Sequence, residues 1–313
     1  MREEIIVSGR MNHLVDPQLN IWHWQIPLYL FVGGLAAGIL FFAALSVILK
    51  KENEYPAAVK YAPFAVPFLL IIGLSALFID LNHKAFFWRL YTTVRIESPM
   101  SWGAWVLMLV TPLSFIWCAL HIRTLFPKWD WKFKPLYMLE EFFVKHKMTL
   151  AWILVVSSVI LGIYTGILFS AFNARPLWNT SILGPLFLAS GLSAGAAVII
   201  YLAKSHAERR FFTRVDLLVI GIELFLIVHM FMGFLASTQV QIDAASLFLG
   251  GDYTAPFWIC VVLLGMIVPA ALDILELKGY HVPALIPLIL VLFGSLMFRF
   301  LIAYAGQASR YLY

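Results

Sequence analysis

Charge is scarce in this 313-residue chain: Asp, Glu, Lys and Arg make up 12% of it, against 62% hydrophobic residues. Soluble domains carry about 25% charged residues, so a soluble globular protein is excluded. Cysteine is scarcer still. Cys118 and Cys260 both fall inside apolar runs, and two thiols do not supply the four thiolates of an iron–sulfur cluster. A membrane haem needs axial ligands facing one another at one depth. His23 precedes the first apolar run, His121 closes the third and His229 stands alone in the sixth, so no haem is expected. No glycine-rich phosphate loop, HExxH or paired-cysteine motif is present, and no metal site is expected. The alternation of a transmembrane barrel is missing as well. The first 25 residues hold Arg2, Glu3, Glu4 and Asp16 and lack a basic segment followed by an apolar one, so no cleaved signal peptide is read there.

What is present is a series of apolar runs about 20 residues long, the length that crosses a hydrocarbon core of about 30 Å. The reading is an all-α polytopic membrane protein with eight transmembrane helices in two related four-helix bundles. The spans are placed at Ile26–Leu49, Tyr61–Leu81, Trp102–Ile122, Met148–Phe172, Ile182–Ala203, Val215–Ala236, Phe257–Leu275 and Ala284–Gly306. The division is an N-terminal segment 1–25, a first bundle 26–172 and a second bundle 173–313. Two stretches echo one another: Pro27-Leu-Tyr-Leu-Phe-Val-Gly-Gly-Leu-Ala-Ala-Gly38 and Pro185-Leu-Phe-Leu-Ala-Ser-Gly-Leu-Ser-Ala-Gly195. One residue must be inserted to align both ends. Small residues at one-turn spacing let helices pack closely in lipid, where hydrophobicity cannot drive them together.

The net charge of +5 is no nucleic-acid signal once its distribution is followed. With the N-terminus outside, the inner segments hold 14 Lys and Arg and the outer ones 7, Arg299 lying within the last span. That bias puts both termini outside, periplasmic in a bacterium. Trp22, Trp24, Trp88, Trp102, Trp178 and Trp258 fall near outer ends and Trp129, Trp131 and Trp152 near inner ends, the pattern of an interfacial belt.

Polar residues gather at two levels. At 1.5 Å per residue, Asp80 lies roughly 28 Å from the inner start of span 2 and Tyr164 about 24 Å up span 4. Tyr29, His23 and Arg175 share that outer level. Each has a plain reading as well: a belt tyrosine, an interfacial imidazole, a loop arginine, a helix-capping carboxylate. In the second half Glu223 lies about 12 Å and His229 about 21 Å into span 6 from inside, with Arg299 near the depth of His229. Intramembrane ionisable residues are costly and face a bundle interior or water. A structural pairing of Glu223 with Arg299 and a proton path beginning at Asp216 are both open. Asp273 is expected at the inner interface.

The stretch Trp22-His-Trp24 followed by Pro27 to Gly38 resembles the opening of the NrfD-like family, the membrane subunit of polysulfide reductase and its relatives. Phe78-Ile-Asp-Leu81, Ser98-Pro-Met-Ser-Trp-Gly-Ala-Trp105, Tyr164-Thr-Gly166 and Ala174-Arg-Pro-Leu-Trp-Asn179 resemble further stretches of it in order. The resemblance implies a quinone-handling anchor (menaquinone or ubiquinone) in a bacterial or archaeal cytoplasmic membrane. Its implied partner is a four-cluster ferredoxin-like iron–sulfur subunit and, through it, a molybdopterin or other catalytic subunit of an anaerobic respiratory complex. By position, Tyr164 stands where the family has a tyrosine bonding a quinone oxygen, and Asp80 where it has an acidic residue. Tyr29 takes the place of a histidine ligand of the polysulfide-reducing member, and Ile26 stands near its asparagine. Tyr29 and His23 are thus rival second ligands, with Arg175 as electrostatic support or docking contact. Glu223, with Asp216, His229 and Arg299, would carry protons from inside. The competing readings are a secondary transporter, whose repeats and interrupted helices look alike, and a purely structural anchor.

Overall fold

A computed structural model describes residues 22–131 and 134–310; the N-terminal segment up to residue 21 lies outside the described residues. Among the described residues, eight helices have the length and apolarity to cross a membrane. They are α1 (Gln25–Ile48), α2 (Ala57–Asp80), α3 (Pro99–Leu120), α4 (Lys147–Ser170), α5 (Leu183–Leu202), α6 (His206–Leu235), α7 (Pro256–Leu277) and α8 (Leu285–Ala308). The described residues contain no strand. The protein is all-helical and polytopic, as the apolar runs require.

The largest departure is at α6, which begins nine residues before the expected Val215. The Ser205 hydroxyl accepts from the amide of Ala207 and caps it. The buried Glu208 carboxylate accepts from the amide of Ala58 at 3.0 Å. Hydropathy marks where lipid begins, whereas a helix begins where its first amides find acceptors. α3 starts at Pro99, after Ser98, because proline at the first helical position gives up an amide that has no intrahelical partner. Between α3 and α4 an unpredicted amphipathic helix, Lys134–Lys145, is pinned by the Arg123–Glu140 ion pair.

α1 and α5 are the core. Each is 78% buried along its apolar window, against 33–39% for α2, α3, α6 and α7. These are the two helices that carry the repeated stretches, and the repeats meet each other. A Cβ at Gly38 would fall on the carbonyl of Gly191, one at Gly191 would stand 2.6 Å from the Gly34 oxygen, and one at Gly195 2.6 Å from the Gly38 carbonyl carbon. The echo is therefore the crossing point of the central pair. Around it α1 also packs on α2, α4 and α8, and α5 on α4, α6 and α8. α7 and α8 cross in the same way at Gly265 and Gly294.

α1 begins at what is called here the N-terminal face, which also carries segments 81–98, 171–182 and 236–255. Its tryptophans divide. Trp24, Trp88 and Trp102 are exposed, as belt residues should be, whereas Trp22 and Trp178 are buried. Trp22 packs on Phe169, Phe172 and Trp178. The Trp178 indole donates to the Ile302 carbonyl at 2.8 Å, in space left by Gly306. The Gln307 side chain bonds both the amide and the carbonyl of Trp22, each at 2.9 Å. For these two indoles the belt reading is corrected: they clamp the start of α1 to the end of α8.

Candidate functional site: a phenol-lined cavity

Below this clamp the starts of α1 and α3 and the ends of α2 and α4 enclose a cavity of about 130 Å³. An engineered cavity of about 150 Å³ holds a benzene molecule, so the space suits one six-membered ring. Its walls are mostly apolar (Trp22, Ile26, Leu77, Leu107, Leu168), with Tyr29, Tyr91, Tyr164 and Asp80 among them.

Each phenol is seated by its neighbours. Tyr29 and Tyr164 are 2% and 7% exposed. Gly73 of α2 makes room for Tyr29: a Cβ there would stand 3.3 Å from the Tyr29 ring and 2.8 Å from Val32. Gly103 of α3 does the same for Tyr164, whose ring and hydroxyl lie where a Cβ would project. The two phenol hydroxyls are close enough to act on one another, near hydrogen-bonding range, but no bond of ordinary geometry joins them. The Tyr29 hydroxyl, shut off from solvent, has no hydrogen-bond partner among the described residues. A buried hydroxyl left unpaired costs about 1–3 kcal/mol, so this is where a ligand oxygen would be welcome.

Asp80 is half-buried in the cavity wall at the end of α2. The exposed His23 is near enough to act on its charge. Tyr91, which sequence reasoning missed, comes from the short helix Arg89–Thr92 folded over the site, with the Trp105 indole donating to its carbonyl at 3.3 Å. Burial pushes its phenol pKa up. The only hint of it in the sequence is the aromatic run between spans 2 and 3. Arg175 is buried but does not line the cavity; it donates to the Ser309 carbonyl at 2.8 Å and so ties segment 171–182 to the end of α8.

The second polar set is packed solid. Arg299 is fully buried. It donates to Ser190 at 2.5 Å, to the Ser295 hydroxyl at 2.7 Å and to the Phe187 carbonyl at 3.0 Å, and lies over the Phe187 ring. Gly34 of α1 leaves room for its tip. Glu223, 3% exposed, is its electrostatic neighbour, but the two form no ion pair within 4 Å, and Glu223 Oε1 lacks a partner. Closer to the opposite face Asp216 accepts from Ser193 at 2.6 Å. Asp273, expected at the interface, is instead 1% exposed and faces Asp216. α7 packs on α6 there and covers it. His229 is not brought to this set: it is exposed on the outer side of α6, stacked on Phe225. No cluster of three or more metal-ligating side chains occurs among the described residues.

Known proteins resemble this chain along nearly all its length. Residues 12–309 match the family described as "Polysulphide reductase, NrfD". Protein NrfD of Escherichia coli is 32% identical over 309 residues, covering 92% of this chain and 96% of that protein. A polysulfide reductase chain from Wolinella succinogenes is 30% identical over 303 residues, covering 92% and 94%. A selenate reductase subunit from Mesobacillus selenatarsenatis is 25% identical over 283 residues, covering 80% and 66%. With eight membrane-length helices and a match of this extent, the chain is a multi-pass integral membrane protein of the polysulphide reductase NrfD family.

Proposed function

We propose that this protein is the quinone-binding membrane subunit of a respiratory reductase complex, and that the phenol-lined cavity takes the quinone head. The observation that carries this is the buried, unpartnered Tyr29 hydroxyl sharing an apolar, ring-sized cavity with Tyr164 and Asp80. A quinone presents two carbonyl oxygens on opposite sides of a flat ring. A phenol can donate to the oxidised form and accept from the reduced one. Tyr164 bonds one oxygen, and Tyr29 (or, as its rival, His23 from the rim) bonds the other. Asp80 is open enough to take or give the proton that accompanies electron transfer. Arg175 supports the loop beside the site.

Two of the relatives are named as parts of larger enzymes, one of a polysulfide reductase and one of a selenate reductase, which supports a multisubunit assembly. Electrons would pass between the quinone pool and a docked four-cluster iron–sulfur subunit, and from there to a molybdopterin or other catalytic subunit. In this reading both termini face outward across a cytoplasmic membrane, the bundle 26–172 holds the quinone, and the bundle 173–313 carries protons. Asp216, Asp273, Glu223 and Arg299 form the inner part of that path, without His229. The same buried set is what a transporter reading would use for an ion.

The test is binding of menaquinone-4 and ubiquinone-2 to the purified protein and to its Tyr164→Phe and Tyr29→Phe variants. Losing one hydrogen bond, about 1 kcal/mol, weakens binding about fivefold. Unchanged affinity in both variants, with quinone still bound, would move the head group elsewhere. Absence of binding altogether would favour the transporter.

A further inference from the structure

On the lipid side of α3 and α4 lies a second depression, about 400 Å³, separate from the cavity. Its lining is Pro99 and Trp102 of α3 with Ile160, Ile163 and Ile167 of α4. The three isoleucines fall at i, i+3 and i+7, one stripe of a helix. Ile160, Ile167 and Trp102 are each more than 40% exposed, on a surface that faces hydrocarbon. Glu97 stands at its end near the N-terminal face, where the chain meets water.

Tyr164 belongs to both spaces: it lines this groove and the cavity. Its ring rests on Gly103, where no side chain stands between α3 and α4. Tyr164 therefore stands where the groove and the cavity adjoin. The cavity's other neighbours are worse routes for an apolar tail. The depression of about 700 Å³ at the N-terminal face sets Asn82, His83, Arg89 and Arg95 among apolar residues such as Leu81, Phe86 and Leu90. A tail there would meet charged side chains, and it too reaches neither Tyr29 nor Tyr164. The one along α2, about 420 Å³, also borders the cavity, through Leu77, Leu81, Leu90 and Tyr91, but it reaches neither Tyr29 nor Tyr164, the phenols that would hold the head.

We infer that the groove between α3 and α4 is the seat of the polyisoprenoid tail, entering the cavity beside Tyr164, which positions the head and forms the threshold of the portal. This rests on the quinone reading above, and it adds a path and a tail subsite to it. The groove meets the cavity at one shared residue, Tyr164. Its surface is apolar throughout its length in the hydrocarbon zone, and the one carboxylate sits at its water end. A flexible apolar tail attached to a ring fits that arrangement, because the ring passes one phenol and the tail stays in lipid.

The experiment compares menaquinone-4 with tail-less 2,3-dimethyl-1,4-naphthoquinone, binding to the full-length protein in lipid nanodiscs by equilibrium retention. Ile160→Trp and Ile160→Phe add bulk to the groove at an exposed residue outside the cavity lining. Ile79→Trp fills the rival groove along α2 and is the control. Filling the tail subsite is expected to weaken menaquinone-4 about tenfold, the effect of unburying about two methylenes, and to leave the tail-less ring within about twofold. Ile79→Trp should change neither. Equal loss for both ligands in two independently folded groove variants would mean a distorted head site and overturn the portal. So would no loss for either ligand, or a tail-specific loss at Ile79→Trp instead. If the native protein binds neither ligand, the quinone reading itself fails. If it binds both equally well and the groove variants do not discriminate, only the portal fails.

Discussion

The cavity of α1–α4 and the buried charges of α6–α8 are opposite ways of putting polar groups inside a membrane. In the first, neutral phenols and one half-exposed carboxylate surround open space, and a donor is left without a partner. In the second, an arginine and three carboxylates are packed among serines and a backbone carbonyl. Both Arg299 Nη groups find acceptors, while Arg299 Nε, Glu223 Oε1 and Asp273 Oδ2 find no partner among the described residues and lean on neighbouring charge instead. A phenol can wait for a ligand because an unpaired neutral hydroxyl costs about 1–3 kcal/mol, which a ligand oxygen then offsets. An unpaired buried charge costs far more, so charges are enclosed by the protein itself. On the function proposed above, the first is a site that receives something and the second a network that holds or relays.

If that contrast is right, substitutions should rank accordingly. Arg299→Met strands Glu223 without its neighbouring positive charge and frees two serine hydroxyls. It should cost about 3–5 kcal/mol, read as a large fall in Tm of the purified protein. The α1–α5 crossing comes next. Gly38→Ala forces the backbones apart and should cost about 1–3 kcal/mol. Gly33→Ala, whose Cβ would meet nothing within 4 Å, should be neutral or stabilising by up to about 1 kcal/mol from helix propensity. Equal effects at the two glycines would break the claim that the echo is a contact. Tyr29→Phe should leave Tm unchanged or raise it, since it removes a buried hydroxyl that bonds nothing among the described residues, while quinone binding weakens. A fall in Tm would show that the hydroxyl is structural, and the two regions would then differ less than they look.

The smallest effect is a pH dependence at the opposite face. There His121 hydrogen-bonds the Trp117 carbonyl at 3.0 Å, and Lys147 bridges His121 at 3.1 Å and Glu52 at 2.6 Å. Burial, and then the Lys147 charge, push the His121 pKa below 6.5. Burial alone would raise the Glu52 pKa, but Lys147 and then His121 hold it below 4.5. For both groups the unfolded chain binds the proton first, so acid favours unfolding. Stability contributed by His121 is full above pH 6.5 and falls as pH drops from there through its folded pKa. The Glu52 contribution is lost lower still, below pH 4.5. A Tm profile of His121→Gln should lack the upper limb. A native profile flat between about pH 7 and 5 would rule the linkage out.

Much of the site could be read before folding. Tyr29, Tyr164 and Asp80 lay at one level by residue counting alone, and they do line one cavity. Depth along a helix is a matter of rise per residue. Direction around it is harder but partly available. Glu223 and His229 are six residues apart, about 240° around a helix, so they could not both face one neighbour, and it is His229 that turns outward. Tyr91 and the burial of Trp22, Trp178 and Asp273 were illegible, because each depends on a segment distant in sequence folding over it.

Composition and apolar run length alone determined that this protein lives in a membrane as eight helices, because hydrocarbon tolerates no unsatisfied backbone. The repeated glycines also announced a close helix contact in advance. Only the tertiary structure decided that the two repeats contact each other, that Gly103 and Gly73 make room for the phenols, and that one tyrosine lines both the cavity and the groove between α3 and α4. Small residues permit close approach without naming the partner. The partner is chosen by how all eight helices pack at once.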